Sequence, residues 1–228
     1  MPEPVLALLL DGPMQSWGHQ SRFNRRTTLF YPTRSGIVGI LAAAMGIPRG
    51  DRSRLAELAP SYLGVTVLGL GECGCWMDYH TVGGGYDARA ERWSIPRKAS
   101  GAARHTVLTD REYLSDAKFG TLLTGSAALL KRCDEALRNP KWGIWLGRKC
   151  CIPAQPVNQG MFPCEADAIR HLFARTGRGS VRRRVVEVSD FAAGSDTLMD
   201  VPLDFAKREF TVRRVDDVPF AEAESADL

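Results

Sequence analysis

The stretch VLALLLDGP, residues 5–13, decides the fold, because its apolar run continues without a break until Asp11-Gly12-Pro13. A short apolar run bounded by turn residues is typical of a central strand that is covered on both faces. Residues 1–10 carry the acidic Glu3 where a secretory signal would carry basic residues. We therefore interpret the beginning of the chain as a buried strand.

A helix is predicted next at PTRSGIVGILAAAMG, residues 32–46, with Thr33 or Ser35 as its cap. Strands are expected at residues 62–70, 75–82, 106–108, 112–114 and 117–123, and a second long helix from Ser126 to Asn139. The order strand, helix, strand, then strand, helix, strand is typical of an α+β, ferredoxin-like fold.

The sequence predicts three parts. Residues 1–151 would form the ferredoxin-like domain, interrupted by an insert at residues 83–104 that has no regular hydrophobic period. Residues 152–215 would form a small C-terminal, β-rich region, with a short helix at 165–174 and strands near 185–188 and 209–215. Residues 216–228 would be an acidic tail. Long inserts in compact domains are usually functional or disordered.

The charge of the chain favours a polyanionic partner. The net charge is +4, but residues 216–228 contain five acids and no Lys or Arg, which leaves +9 on residues 1–215. A body with this charge attracts nucleic acid. No apolar run approaches the roughly 20 residues that span a bilayer, so we expect a cytoplasmic protein with no membrane partner.

The six cysteines lie at positions 73, 75, 133, 150, 151 and 164. Their C-x-C and C-C spacings lack the paired C-x-x-C of a tetrahedral zinc site. We expect reduced, structural cysteines, with no metal and no cofactor.

The strongest candidate binding site is YPTRSG, residues 31–36. A helix start presents unpaired N–H groups and a partial positive charge to an anion. Gly36 would allow close approach of a phosphate, Thr33 and Ser35 would add hydroxyl groups, and the Arg34 guanidinium would form a planar fork. The alternative is a well-capped helix whose Arg34 points into solvent, and the chemistry alone favours neither.

Other candidate contacts surround this helix start. Gln15 and Trp17 follow the first strand and could contact a base, although a packing tryptophan in a tight turn is the commoner case. The insert interleaves aromatic and cationic residues, which suits an arm that grips a nucleic-acid strand, or a mobile surface hairpin. The further candidates are Arg22, Arg25, Arg26, Arg148 and Lys149 on loops, and Tyr86, Arg89, Arg92, Trp93, Arg97, Lys98 and Arg104 in the insert.

A catalytic alternative needs an acid and a base. His80 and His105 flank the insert, with Tyr79 and Lys98 nearby, and metal-free RNA cleavage could use a His or Tyr base and a Lys. The alternation of Asp78-Tyr79-His80 also suits a structural strand. The sequence has no G-x-S-x-G and no Walker A loop. We expect no enzyme activity.

Five motifs occur in one order along the chain: GPMQSWG at 12–18, PTRSG at 32–36, DYHTV at 78–82, REYL at 111–114 and LGR at 146–148. This series resembles the CasD subunits of type I-E Cascade, the fifth Cas family of CRISPR-associated RAMP proteins. The resemblance is strong over residues 4–151 and looser beyond them.

The resemblance implies a ferredoxin-like (RRM-like, RAMP) core, a β-hairpin thumb at about residues 83–104 and a small C-terminal region. It implies a non-catalytic, crRNA-binding subunit that caps the 5′ handle of the crRNA in an antiviral ribonucleoprotein complex. It also adds His80 and Thr81 to the RNA-binding candidates. The implied partners are the crRNA, the Cascade backbone subunit and the large PAM-reading subunit.

Two points stay open at the level of the sequence. The related I-C subunit is an endoribonuclease, so a metal-independent enzyme that processes CRISPR repeat RNA is the alternative function. The segment Arg170–Arg184 contains six arginines and no acid. It is either a polyanion patch, with target DNA as a further candidate partner, or a solvated loop.

Overall fold

The computed structural model describes residues 4–21, 24–82, 107–177, 183–190 and 192–219. The helices in these ranges are α1 (Arg34–Met45), α2 (Arg52–Ala56), α3 (Ala127–Arg138) and α4 (Glu165–Thr176). The strands are β1 (Val5–Asp11), β2 (Met14–Gln15), β3 (Arg25–Arg26), β4 (Leu63–Gly69), β5 (Gly74–Val82), β6 (Val107–Ser115), β7 (Lys118–Gly125), β8 (Asn158–Phe162), β9 (Arg183–Val188), β10 (Asp196–Asp204) and β11 (Glu209–Pro219). None of the described helices has the length and apolar character to cross a bilayer.

Strand β1 lies at the centre of the main sheet. It pairs antiparallel with β7 on one side and with β8 on the other, and β4 pairs antiparallel with β7. The order β4-β7-β1-β8, with α1 and α3 as the connecting helices, is that of a ferredoxin-like fold. The predicted fold class is therefore confirmed. Because β8 is the fourth strand of this unit, the unit extends past the predicted boundary at residue 151.

The apolar run in β1 is continuous because both faces of the strand are covered, and all seven of its residues are buried. Leu6, Leu8 and Leu10 join the larger core cluster with residues of α1 and α3. The alternating residues Val5, Ala7 and Leu9 belong to a second cluster with residues of α4. Each fully buried leucine contributes about 1.5–3 kcal/mol relative to an exposed one.

The C-terminal strands extend the same sheet. Strand β9 pairs with β4 and with β11, and β11 pairs with β10, which gives a sheet of seven strands. The predicted strands near residues 185–188 and 209–215 are confirmed. Strand β11 continues to Pro219, so Asp216 and Asp217 belong to the sheet rather than to the predicted tail. Arg183 Nε lies 3.0 Å from Asp217 Oδ1.

A second, smaller sheet is built on the hairpin of β5 and β6. The two strands pair antiparallel over their whole length, from Gly74 opposite Ser115 to Val82 opposite Val107. Strand β2 pairs antiparallel with β6, and β3 pairs with β6 in parallel. Two short strands were predicted at residues 106–108 and 112–114, and the described residues of both belong to the single strand β6. The predicted thumb, residues 83–104, lies outside the described residues.

A buried ion network ties the start of α1 to the C-terminal strands. The Arg34 side chain is fully buried, and its Nη1 donates to Glu187 Oε1 of β9 at 2.6 Å. Its Nη2 donates to the carbonyl oxygens of Leu58 at 2.9 Å and Leu63 at 2.8 Å. Burial lowers the pKa of the Arg34 guanidinium, and the neighbouring Glu187 carboxylate opposes that shift.

Arg213 of β11 completes the network. Its guanidinium donates to both carboxylate oxygens of Asp200, at 2.6 and 2.9 Å, and to Glu187 Oε1 at 2.9 Å. Asp200 also accepts the backbone N–H of Arg34 at 2.7 Å. Burial by itself lowers the pKa of the Arg213 guanidinium. The hydrogen bonds and negative charge of Asp200, together with the charge of Glu187, outweigh burial, so the pKa of Arg213 is raised. Two cations and two anions leave this interior site neutral.

The six cysteines are free thiols in this structure. Cys133 of α3 and Cys151 are fully buried, whereas Cys75 and Cys150 are exposed. Burial raises the pKa of the Cys133 thiol to about 11 and contributes most to raising that of Cys151 to about 12.

Replacing Arg34 with alanine should lower the free energy of unfolding by about 3–5 kcal/mol, because it leaves buried polar partners without their donor. Urea unfolding followed by circular dichroism measures this loss. Arg132→Ala is the matched control, since Arg132 pairs with Glu57 at a similar distance, 2.7 Å, but both side chains are exposed. The control should cost at most about 1 kcal/mol. Equal losses in the two variants would contradict a stabilising role for the network.

Iodoacetamide should modify Cys75 and Cys150 well before Cys133 and Cys151. The thiolate is the reactive form, and a pKa raised by burial keeps the two buried thiols protonated near pH 8. Mass spectrometry of tryptic peptides after timed labelling measures the order. Labelling of Cys133 and Cys151 as fast as that of the exposed pair would show that this core opens readily.

Candidate nucleic-acid interface

The start of α1 was predicted to bind a phosphate, and the structure corrects this for Arg34 and Thr33. The Arg34 guanidinium has no exposed surface, and Thr33 is 2% exposed. The Thr33 hydroxyl accepts the Gly36 N–H at 3.1 Å, and the Asp200 carboxylate accepts the Arg34 N–H. An internal carboxylate therefore occupies the place predicted for the anion, and the N–H groups of Arg34 and Gly36 both find acceptors within the protein.

Gln15 and Trp17, predicted to contact a base, are also buried, at 0% and 1% exposure. The Gln15 amide donates to the carbonyl oxygens of Leu10 and Ala117, and its Oε1 accepts the Trp17 indole N–H at 3.1 Å. A Cβ on Gly36 would lie 2.7 Å from Trp17 Cε3. Gly36 thus makes room for Trp17, and the packing alternative holds for this turn.

Arg148 connects the loop of residues 141–151 to the small sheet. Its guanidinium carbon lies 4.5 Å from the centre of the Tyr113 ring. It donates to the carbonyl oxygens of Glu112 at 3.0 Å and Arg26 at 3.1 Å. The Trp76 ring stacks on Tyr113 with a centroid distance of 5.2 Å. Arg148 is half-buried, and these contacts give it a positioning role at the edge of the surface.

Three predicted cations keep access to the surface. Arg25 of β3 has a side chain 69% exposed and pairs with Glu112 at 2.8 Å. Arg26, the next residue, is half-buried, and Lys149 is exposed. The backbone of Arg26 is tied to the loop that carries Lys149 through Arg148, so the fold brings these separate stretches of sequence to one region.

A groove of about 400 Å³ lies between one face of α1 and the loop of residues 141–151. It brings together three of the predicted residues, Ser35, Gly36 and Lys149. The indole rings of Trp142 and Trp145 line it and are 45% and 37% exposed. The loop is fixed to the C-terminal end of the helix, because the N–H groups of Lys141 and Trp142 donate to carbonyl oxygens of α1.

Sequence reasoning did not select four lining residues of this groove: Arg49, Trp142, Trp145 and Phe205. They come from three separate segments, and only the fold shows that these meet. The available signal was local: two tryptophans that follow a helix end at Asn139-Pro140, close to a pair of cations.

His80 and Thr81 lie on β5 in the half of the hairpin that leads to residue 83. His80 Nδ1 is 3.5 Å from Asp78 Oδ2, and the Tyr79 side chain between them in sequence is exposed. Eight predicted contacts fall outside the described residues: Arg22, Tyr86, Arg89, Arg92, Trp93, Arg97, Lys98 and Arg104. Within the part of the chain that the structure describes, no three His, Cys, Asp or Glu residues are grouped to hold a metal ion.

Comparisons with known proteins agree with the fold and with the ordered motifs. A relative, the CRISPR system Cascade subunit CasD of Escherichia coli (strain K12), is 31% identical over 91% of this chain and 94% of its own length. A chain of a solved CRISPR RNA-guided surveillance complex is 32% identical, with a TM-score of 0.75 over 94% of this chain and 89% of that chain.

A crystal structure of a Cas protein is 30% identical, with a TM-score of 0.63 over 96% of both chains. The family model described as CRISPR-associated protein (Cas_Cas5) matches residues 5–216. The resemblance inferred from the motifs is thereby confirmed, and the chain belongs to this family of CRISPR-associated proteins.

Proposed function

We propose that this protein is the CasD-type subunit of a Cascade complex and binds the guide RNA of that complex, the crRNA. The observation that carries the proposal is the match to CasD, which extends over nearly the whole of both chains. A similar fold occurs in a solved RNA-guided surveillance complex. The partners that follow are the crRNA and other Cascade subunits, with the backbone subunit and the large PAM-reading subunit as the predicted neighbours.

The surface available to the RNA follows from burial. The side chains of Arg34, Gln15 and Trp17 are buried and cannot reach the RNA. Contacts to the RNA backbone are therefore left to accessible cations such as Arg25 and Lys149. Cations on loops bind phosphates with little regard to sequence, and their contribution depends on salt. We infer that these groups hold the phosphates of the crRNA 5′ handle, together with the predicted thumb.

We further infer that the subunit holds the RNA without cutting it. The support is the match to a Cascade subunit over nearly the whole chain, since the His80–Asp78 pair, 3.5 Å apart, suits a structural and a catalytic histidine equally. Cleavage of RNA needs an acid and a base on either side of one phosphate. Tyr79, the other described candidate, has an exposed side chain, and Lys98 and His105 lie outside the described residues.

Lys149→Ala should weaken RNA binding and reduce the slope of log K against log salt concentration by about 0.7, the value for one lost contact to single-stranded RNA. Binding of labelled crRNA, measured between 50 and 250 mM salt (about the range used for such titrations), gives both quantities. Lys131→Ala is the charge-matched control, because Lys131 is an exposed residue on α3. If both variants bind as the wild type does, Lys149 is not part of the interface.

Labelled CRISPR repeat RNA should stay intact when it is incubated with the purified protein in EDTA, because we assign the chain a holding role. Denaturing gel electrophoresis measures this. A specific product that disappears in His80→Ala would contradict the proposal and support the endoribonuclease alternative. A product that persists in His80→Ala but disappears in Tyr79→Ala, Lys98→Ala or His105→Ala would contradict the proposal as well, whereas a product that persists in all four variants comes from a contaminating nuclease.

A further inference from the structure

We propose that the groove between α1 and residues 141–151 receives one nucleobase extruded from the bound RNA. The base would stack on Trp142 or Trp145, and its flanking phosphates would meet the cations at the rim. This inference rests on the proposed function and adds to it a base-binding site, with the residues that form it.

The tryptophans supply the first argument. Trp142 and Trp145 are 45% and 37% exposed, whereas Trp17 in the same region is 1% exposed. A Cβ on Gly143 would lie 2.8 Å from Trp145 Cζ2, so the indole ring lies directly against its own loop. The ring is therefore positioned before any ligand arrives. Stacking on such a ring tolerates every base, because every base has a π-face.

The floor of the groove supplies the second argument. Gly39 and Ala43 lie on one face of α1 and are half-exposed, so the helix itself places no long side chain in the space above them. A Cβ on Gly39 would meet the Phe205 ring at 3.9 Å, which is ordinary van der Waals contact, so this ring forms the wall of the groove beside Gly39. The volume of about 400 Å³ lies at the small end of the range for ligand pockets, about 300–1,000 Å³. It suits one planar ring system with its sugar.

The charge of the groove lining favours a nucleotide over an apolar protein segment as the ligand. The lining includes Arg49, Lys149 and the hydroxyl of Ser35, and it contains no Asp or Glu. An apolar protein side chain would cover the indole rings but would leave both cations without a partner. A nucleotide satisfies both features, because its base covers the rings and its phosphates pair with the cations.

The test combines two changes in a thermodynamic cycle. Synthetic crRNAs, each with one abasic site in the repeat-derived 5′ segment, are bound to the wild type and to Trp142→Ala and Trp145→Ala. At one position the abasic site should weaken binding to the wild type by about 5- to 100-fold. The same abasic site should have little further effect in the variant that has lost the stacking ring. Trp145→Phe, which keeps an aromatic face, should recover part of the loss.

Tyr62→Ala is the control, because Tyr62 is 63% exposed and does not line this groove. If every abasic site acts independently of both tryptophans while the wild type binds the intact RNA, the groove proposal is overturned and the proposed function stands. Failure of the wild type to bind crRNA, alone and in the assembled complex, would instead overturn the proposed function. If the Trp variants bind RNA normally but lose another Cascade subunit, the groove holds a protein segment and the proposal is wrong.

Discussion

The neutral network of Arg34, Glu187, Asp200 and Arg213 is the interaction on which the rest of the structure depends. A guanidinium without exposed surface needs acceptors for its donors, and the two Nη groups of Arg34 find them in a carboxylate and two carbonyl groups, while its Nε has no partner among the described residues. These partners come from β9, from the segment between α2 and β4, and from the first residue of β4. The network therefore links the position of the first helix to that of the C-terminal strands.

The network also determines which parts of α1 remain available for binding. Its N-terminal N–H groups and its arginine face inward, and the apolar residues Ile37, Ile40 and Leu41 are buried in the core. The face that remains carries Gly39 and Ala43. Because these residues are small, the loop of residues 141–151 lies beside the helix and leaves a groove rather than closing onto it. The same helix thus anchors the C-terminal strands on one side and offers a binding surface on the other.

The elements of the fold could be predicted because their signals are local. The unbroken run in β1, the capped start of α1 and the apolar face of α3 each lie within about a dozen residues. Burial of individual polar residues could not be predicted in the same way. PTRSG has the composition of a phosphate site, and the acids that occupy it, Asp200 and Glu187, lie more than 150 residues further along the chain. The two tryptophans of the groove could be assigned to a site only from the fold, because only the fold shows that Arg49 and Phe205 line the same groove.

The comparison with an RRM shows why the binding surface has to lie on loops here. An RRM stacks bases on the face of the sheet that its helices leave open. In this protein α4 packs on that face, where Ala168, Ile169 and Leu172 join Val5 and Leu9 in the second core cluster. The central strands are buried on both sides, and the loop of residues 141–151 carries two exposed aromatic rings, Trp142 and Trp145, beside α1. A ferredoxin-like core whose sheet is closed in this way can still bind RNA, but it must do so at its edges, with cations and aromatic rings carried by the connecting segments.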